Sequence, residues 1–483
     1  MNILFFKHML VITVGFLSGI DSKYEQGREE NMMNRLMKRA SAVLLGVSLM
    51  LTMVMPVIHA KEQSPPLAPS ISDWAKETLN EGEKYGIYPT QWYYEGFLQE
   101  IPVEKVNELL VLTEKKIASL GLTENEQYKP VSVKNDNTRG DIVKRLYNII
   151  ARYDLPVGKD AIKFMQEHNI LQGSSNGLQL EKKATTQQAV ILAVRFIKNM
   201  YAFAGQGSKG VAWVVEDEDT VVYLLGSIHL GTPDLYPLNK NLMTAFNEAD
   251  ALVVEANNLD TEGSKYFTEK SIYADNFKLK DTVTPETFAK LEHVAKLYSL
   301  PMEHLTLLKP WYLANIFSVQ AMSDSFDMTP EDMGIHGIDL YFILNARLQQ
   351  KPVIELEGIK AQTDMFEGLS PEAQEQYLVS ALDSIIDPSK NQSKIHQEML
   401  TSWKYGDVET LAKSFQATVE EQSEFNKMLL GLRDEQMAKK IMDLLKKKEG
   451  TYFVVVGSGH LVTEKTIRYH LEKNGYDVKP FYQ

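Results

Sequence analysis

The sequence predicts two folded parts: a helical domain at residues 71–205, and an α/β domain at residues 211–483 whose mostly parallel sheet is flanked by helices. Two observations support this division. Up to residue 204 the apolar residues recur at helical spacing, without a convincing strand. After the glycine-rich stretch FAGQGSKG (203–210), short apolar runs alternate with helical patterns, which is typical of α/β domains.

The composition is that of an ordinary globular protein, with 44% hydrophobic and 24% charged residues among 483. The net charge is −13, and no block rich in Lys and Arg is present. Because phosphate binding needs a basic surface, these features argue against a nucleic-acid partner. The absence of cysteine excludes disulfides, thiolate nucleophiles and cysteine metal ligands.

Residues 1–60 have the pattern of a secretion signal. The stretch MNRLMKRASAVLLGVSLMLTMVMPVIHA (33–60) begins with basic residues, continues with an apolar run and ends on a small residue. We therefore predict that translation truly starts near Met33 and that the mature protein begins near Lys61. The protein would be exported to the extracellular space or cell surface of a bacterium. The alternative is an uncleaved segment that anchors the protein in the membrane.

A Pro/Ser-rich linker, KEQSPPLAPS (61–70), precedes the helical domain. Within that domain, TRGDIVKRLYNII (138–150) and TTQQAVILAVRFI (185–197) are similar to each other, and each opens with a threonine suited to an N-cap. The pair resembles degenerate S-layer homology repeats, the first of them interrupted by an extra helix at residues 103–120. This resemblance implies attachment to a cell-wall polymer. The alternative is a plain helical domain.

Four apolar runs in the α/β domain are predicted as buried strands. These runs, VVYLL, ALVV, KPVIEL and YFVVV, lead to His229, Glu255, Glu357 and His460. Both histidines end a Gly-x-x-His motif, which starts at Gly226 or Gly457. Because ligands bind beyond the carboxyl ends of parallel strands, we expect the two histidines and two carboxylates to converge at one sheet edge. Each glycine would allow unusual backbone angles or the close approach of a ligand.

Imidazole together with carboxylate is the ligand set of an open, catalytic site for a divalent metal. Three such ligands and a water would supply a hydroxide nucleophile near neutral pH. The motif is short enough to arise by chance, so a purely structural role for the histidines stays open. His336 and Asp339 could join the site, although Asp339 could equally cap the helix that follows it. The common zinc-protease, serine-hydrolase and nucleotide-loop motifs are absent from the sequence.

From about residue 211 to residue 482 the chain resembles the TraB/GumN family, which is related to the Tiki proteins. The similar motifs are LLGSIHLGTPDLYPL, AFNEADALVVEAN, HGIDLYFILNARLQQKPVIELEGIKAQTDMF, SWKYGDVETL, LLGLRDEQMAKKI and FVVVGSGHLVTEKTIRYHLEKNGYDVKPF. Glu357 and Gln362 stand at the spacing expected for the third motif. Two departures are present: Asp434 replaces an asparagine that is frequent in the family, and Val-Thr-Glu follows GSGHL where a glycine is usual.

The resemblance implies a site for a divalent metal ion, with Mn, Co or Zn as candidates. On this basis His229, Glu255 and His460 are expected to bind the metal, with Glu255 ranked before Glu357 as the third ligand. Glu357 would act as general base or as a further ligand, and Arg433 would stabilise an oxyanion. Tiki relatives are metal-dependent proteases, and plasmid TraB relatives are linked to the shutdown of a peptide pheromone. The resemblance therefore implies a peptide as substrate or ligand.

These features together predict an exported, metal-dependent hydrolase that acts on a peptide. Two alternatives remain at this point. One is a non-catalytic surface protein that binds and sequesters a secreted peptide in the same cleft. The other is a wall-associated adhesion protein whose helical domain performs the function, while its TraB/GumN-like α/β domain is vestigial.

Overall fold

The computed structural model describes residues 69–274, 278–387, 392–419, 424–429, 431–447 and 449–482. The predicted secretion signal and nearly all of the predicted linker lie outside these residues. Within them, no helix has the length and apolar character needed to cross a membrane. The chain divides into two compact units. The helical unit contains the described residues up to Ser208 together with 233–244, and the α/β unit contains 209–232 and the described residues from Ala245 onward.

The helical unit contains amphipathic helices and several short 3-10 turns. The helices are α1 (Lys76–Gly82), α2 (Val103–Ala118), α3 (Arg139–Ala151), α4 (Ala161–Glu167) and α5 (Thr186–Phe203), and the turns are Asp73–Ala75, Glu83–Tyr85, Thr90–Tyr94 and Pro233–Leu235. Thr138 caps α3 and Thr185 caps α5, each side chain accepting a 3.2 Å hydrogen bond from a backbone N–H. Both N-caps expected from the sequence are therefore present, and such caps typically stabilise by about 1 kcal/mol.

The α/β unit is organised around a six-stranded sheet in the order β4-β3-β5-β2-β1-β6. Its strands are β1 (Val211–Glu216), β2 (Thr220–Ser227), β3 (Ala251–Val254), β4 (Val353–Glu355), β5 (Gly450–Gly457) and β6 (Val478–Pro480). Strands β4, β3, β5 and β2 are parallel neighbours and correspond to the four predicted strands. β1 is antiparallel to both β2 and β6. The predicted α/β class with a mostly parallel sheet is confirmed.

Helices follow the strands through the rest of the chain. They are α6 (Lys240–Glu248), α7 (Thr261–Ser271), α8 (Pro285–Leu297), α9 (Met302–Leu305), α10 (Pro310–Asp324), α11 (Pro330–Ile335), α12 (Ile338–Leu348), α13 (Ile359–Glu367), α14 (Pro371–Ile386), α15 (Ser393–Tyr405), α16 (Val408–Val419), α17 (Glu424–Leu429), α18 (Leu432–Leu445), α19 (Gly459–Val462) and α20 (Ile467–Lys473). Aromatic side chains join helices to the sheet: Phe453 of β5 lies 5.6 Å from Phe246 and 5.0 Å from Phe342, measured between ring centroids. Such pairs contribute about 0.5–1.5 kcal/mol beyond their burial.

A buried tryptophan fixes the carboxyl end of β2. Trp403 of α15 donates its indole N–H to the carbonyl oxygen of Gly226 at 2.6 Å. Gly210 leaves room for the indole ring, since a Cβ at that position would lie 3.0 Å from Cζ2 of Trp403. Gly406 ends α15 with φ +73°, a left-handed conformation that favours glycine. The Trp-x-x-Gly-Asp motif therefore supports the strand from which the first Gly-x-x-His motif departs.

Candidate functional site

The carboxyl ends of the four parallel strands lie at one edge of the sheet. Ser227 of β2 pairs with Gly457 of β5. Val254 of β3 pairs with Val455 of β5 and with Glu355 of β4. At this edge the structure brings together, through contacts described below, the side chains of His229, Glu255, Asp339, Glu357, Gln362, Arg433 and His460.

Glycine is needed at the two Gly-x-x-His motifs for different structural reasons. Neither has a positive φ, so unusual backbone angles explain neither of them. A Cβ on Gly226 would lie 2.6 Å from Cγ2 of Val211, so this glycine permits close packing between strands. A Cβ on Gly457 would lie 3.2 Å from Oε1 of Glu255 and 3.6 Å from Nε2 of His229. Gly457 therefore leaves a small space between these side chains.

The two ring nitrogens of His229 have different surroundings. Only 12% of this side chain is exposed, and Nδ1 lies 2.7 Å from Oδ2 of Asp339. Nε2 is buried and has no hydrogen-bond partner among the described residues. An unsatisfied buried polar group costs about 1–3 kcal/mol. A ligand at Nε2 would remove this cost.

His460 has an equivalent arrangement on the neighbouring strand. It lies in α19, directly after β5, and its Nδ1 is 3.0 Å from Oδ1 of Asp434. Its Nε2 is 3.7 Å from Oε1 of Glu255. In metalloproteins a histidine ligand commonly donates its other ring N–H to a carboxylate, which fixes the ring orientation. Both histidines at this sheet edge have a carboxylate oxygen within 3.0 Å of Nδ1.

Glu255 lies between the histidines and a buried arginine. Its Oε1 accepts a hydrogen bond from the backbone N–H of Gly457. Its Oε2 lies 3.4 Å from a terminal nitrogen of Arg433 and 3.4 Å from Nε2 of Gln362. Donors on both carboxylate oxygens therefore fix the orientation of the Glu255 side chain.

Arg433 and Glu357 form a buried, two-pronged ion pair. Nε of Arg433 donates to Oε1 of Glu357 at 2.8 Å, and NH2 donates to Oε2 at 2.6 Å. Gln362 donates to the same Oε2 at 3.1 Å. Burial alone would raise the pKa of Glu357, but the hydrogen bonds and charge of Arg433 outweigh burial and lower this pKa. The pKa of Arg433 is raised, because its carboxylate partners outweigh the effect of its burial.

The charges around the histidines favour a cation at this site. Burial lowers the pKa of His229, but the charge and hydrogen bond of Asp339 outweigh burial and raise this pKa. For His460, burial likewise lowers the pKa, and the charges of Glu255 and Asp434 outweigh it, so this pKa is raised as well. The carboxylates thus stabilise positive charge on or near the imidazoles, whether a proton or a metal ion carries it.

Within the described ranges, no group of three or more His, Asp or Glu side chains is arranged closely enough to count as a metal-binding cluster. The donors nevertheless fit a small cation in three respects. Nε2 of His229 has no partner among the described residues. Gly457 leaves a space bordered by His229, Glu255 and His460. Imidazole nitrogens and a carboxylate are suitable ligands for Mn²⁺, Co²⁺ and Zn²⁺.

The sequence also suggests His336 and Asp339 as site residues. His336 lies with Nδ1 2.6 Å from the carbonyl oxygen of Asp332, one helical turn earlier. Asp339 is in the first turn of α12, but the N-cap of that helix is Gly337. Asp339 contacts His229, so of its two suggested roles the structure favours the site over the cap.

The contact between Asp434 and His460 was not expected from the sequence, which marked Asp434 only as a departure from the family pattern. The only available signal was its position beside Arg433, at the start of a predicted helix. Ser227 was also missed: its hydroxyl donates to Oδ1 of Asp339 at 2.6 Å. Both residues act on the site through another side chain, and motif spacing carries little information about such contacts.

Comparison with known proteins identifies the α/β unit. Residues 211–480 match the model of the TraB/PrgY/gumN family. The proteins named "Uncharacterized protein YbaP" of Escherichia coli (strain K12) and of Shigella flexneri are each 26% identical over 181 residues, which is 38% of this chain and 63% of each relative. The chain thus spans less than two thirds of the length of these relatives. No solved structure matches significantly. Because the family match covers more than half of the chain, the chain belongs to the TraB/PrgY/gumN family.

Proposed function

We propose that the α/β unit is a metal-dependent hydrolase that acts on a peptide. One observation carries the proposal: His229, Glu255 and His460 border the space left open by Gly457, and each histidine contacts an aspartate through Nδ1. The resemblance to the Tiki proteins, which are proteases, supports a peptide as the substrate.

In this proposal the metal is held by Nε2 of His229, Nε2 of His460 and the carboxylate of Glu255. When bound, a divalent ion supplies Lewis acidity toward a carbonyl oxygen and toward water. Arg433 adds a second, permanent positive charge within 3.4 Å of Glu255. Arg433 is buried, and its three guanidinium nitrogens already donate hydrogen bonds to Glu357, Glu255 and the carbonyl oxygen of Leu429. It is therefore held in place to stabilise negative charge on a substrate oxygen through its own charge.

The surroundings of Glu357 support a role different from the general base expected from the sequence. Both of its oxygens accept hydrogen bonds from Arg433, and its lowered pKa makes it a weaker proton acceptor. We therefore assign Glu357 to holding Arg433 in place, with Gln362 assisting at 3.1 Å.

The change Glu357→Gln separates these roles. We expect the metal content to stay unchanged and the protein to lose about 3 kcal/mol of stability, because Arg433 loses the charge of its buried partner. The acid limb of the pH–rate profile should stay in place, since a different group would titrate there. The change Glu367→Gln, in a partly exposed pair with Lys309, is the control and should cost no more than about 1 kcal/mol. Loss of metal would instead make Glu357 a ligand, and loss of the acid limb would make it the base.

A metal analysis and a turnover assay test the proposed activity. Protein purified without chelator should contain a stoichiometric amount of Mn, Co or Zn by mass spectrometry. It should also cleave members of a peptide library, and chelation should abolish this cleavage until metal is restored. The control is the His396→Ala protein, which should keep its metal and its cleavage activity. His396 is about as buried as His460, but its ring contacts Ser325.

Each other outcome of these assays selects an alternative. Protein that binds metal and library peptides without cleaving them would be a sequestering protein, and the hydrolase proposal would fail. Protein that binds neither metal nor peptide would fit a vestigial α/β unit in a wall-associated adhesion protein.

We also propose that the protein is exported to the bacterial surface. The basic, apolar and small-residue progression within residues 33–60 supports export. The resemblance of the helical unit to S-layer homology repeats supports a cell-wall polymer as its partner. N-terminal sequencing of the secreted protein should find a first residue near Lys61. A mature chain that still begins at Met33 would indicate an uncleaved membrane anchor, and failure to sediment with purified cell walls would remove the wall partner.

A further inference from the structure

The two histidines of the site share an arrangement that extends beyond the metal ligands themselves. Nδ1 of His229 lies 2.7 Å from Asp339, and Nδ1 of His460 lies 3.0 Å from Asp434. Each aspartate lies in the first turn of a helix, Asp339 in α12 and Asp434 in α18. The two histidines therefore face equivalent positions, each at the start of a helix.

We infer that Asp339 and Asp434 are positioning residues that hold His229 and His460 in the tautomer protonated on Nδ1, leaving both Nε2 lone pairs available. The value of these lone pairs as ligands rests on the proposed metal-dependent function. The tautomers themselves do not depend on that function, because they are a property of the metal-free protein.

The second oxygen of each aspartate also has a donor. Oδ1 of Asp339 accepts the hydroxyl hydrogen of Ser227 at 2.6 Å. Oδ2 of Asp434 accepts the backbone N–H of Gly431 at 3.0 Å, which caps α18. Each carboxylate thus faces two neighbours at once. An ionised carboxylate only accepts hydrogen bonds, so both ring nitrogens that face one must be donors.

The two sites differ in what an amide would do. The amide introduced by Asp434→Asn has one acceptor oxygen and one donor nitrogen, and the N–H of Gly431 can only donate. If the oxygen serves Gly431, the amide nitrogen faces Nδ1 of His460, which must then accept. The ring proton then moves to Nε2 and blocks that nitrogen as a ligand. A family member with asparagine at this position therefore needs a different acceptor for the backbone N–H that Asp434 accepts here.

At the other site, the hydroxyl of Ser227 can donate or accept. The amide introduced by Asp339→Asn can therefore turn its oxygen toward His229 and its nitrogen toward Ser227, so the tautomer of His229 is kept. The structure thus predicts an asymmetry between two changes that are chemically identical.

Long-range ¹H–¹⁵N NMR of the imidazole nitrogens in metal-free protein reads the tautomers directly. It is recorded at a pH where both rings are neutral. We expect Nδ1–H for both histidines in the unmodified protein and in Asp339→Asn, and Nε2–H for His460 in Asp434→Asn. Zn²⁺ affinity, measured by competition with a chelating dye, should fall about 10–100-fold in Asp434→Asn and less in Asp339→Asn. The control is Asp443→Asn, an exposed position on the same helix.

The outcomes separate this inference from the proposed function. Nε2–H at either histidine of the unmodified protein overturns the inference, and so does Nδ1–H at His460 in folded Asp434→Asn. The spectrum of the unmodified protein alone decides the matter if a variant does not fold. If the tautomers are as expected and no Zn²⁺ binds, the positioning role stands and the metal-dependent function fails.

Discussion

Replacing either His229 or His460 with alanine is expected to remove nearly all bound metal, and replacing both should cost little more. The binding free energy of four-ligand zinc sites, about 10–16 kcal/mol, corresponds to roughly 3 kcal/mol for each ligand, or about a hundredfold in affinity. Removing one of three ligands should therefore bring the affinity below what survives dialysis. Once the metal is lost, the second histidine has nothing left to stabilise, so the effects are not additive.

Metal content after dialysis and melting temperature are the two measurements for this set of variants. His396→Ala is a matched control, since His396 is 5% exposed and His460 is 4% exposed. It should lower the melting temperature and leave the metal content unchanged. If the two site histidines were structural, each change would lower stability by a modest, additive amount with the metal untouched, and the shared site would be refuted.

Gly457→Ala should abolish metal binding while the fold is retained. The added methyl carbon would lie 3.2 Å from Oε1 of Glu255, 3.6 Å from Nε2 of His229 and 3.7 Å from Cδ2 of His460. It would occupy the space that the three side chains border. Gly457 has no positive φ, so alanine can adopt its backbone conformation, and in a strand alanine is favoured over glycine by about 0.5–1 kcal/mol. The tight contact with Oε1 of Glu255 offsets this gain, so the melting temperature should stay close to that of the metal-free unmodified protein.

The other motif glycine provides the control. A Cβ on Gly226 would lie 2.6 Å from Val211 and 2.9 Å from Oγ of Ser458, so Gly226→Ala overpacks the sheet and should cost about 1–3 kcal/mol. The two glycines occupy paired strands, yet one change should affect metal binding and the other stability. If the Gly457→Ala protein keeps its full metal content, any bound ion must lie outside this space.

Sequence patterns predicted the central part of the fold and most of the site for the same reason. Buried parallel strands are continuous apolar runs, and their carboxyl ends meet at one edge, so a polar residue after each run marks that edge. Strand β1 was missed, although WVVEDEDTVVYLL has the form of two apolar runs around an acidic turn. Strand β6 has three residues and ends in Pro480, too short a pattern to distinguish from loop.

The contacts among the site residues could not be predicted from the sequence. Arg433 and Glu357 were both predicted at the site, but their pairing depends on how α18 packs, and motif spacing carries no information about that packing. The same holds for Asp434, which reaches His460 across 26 residues of sequence. The family resemblance indicated which residues belong to the site, and the hydrogen bonds in the structure indicate the distinct role of each.

The pairing of β2 with β5 determines when the site can form during folding. Ser458 donates its hydroxyl hydrogen to the carbonyl oxygen of Ser227, 231 residues away in sequence. Closing so long a loop has a large entropic cost, and contacts of this range slow folding. His229, Glu255 and Glu357 therefore meet His460 only after this long loop has closed. Uptake of the proposed metal ion would thus be among the last steps of folding, and a chain that ends before β5 should bind none.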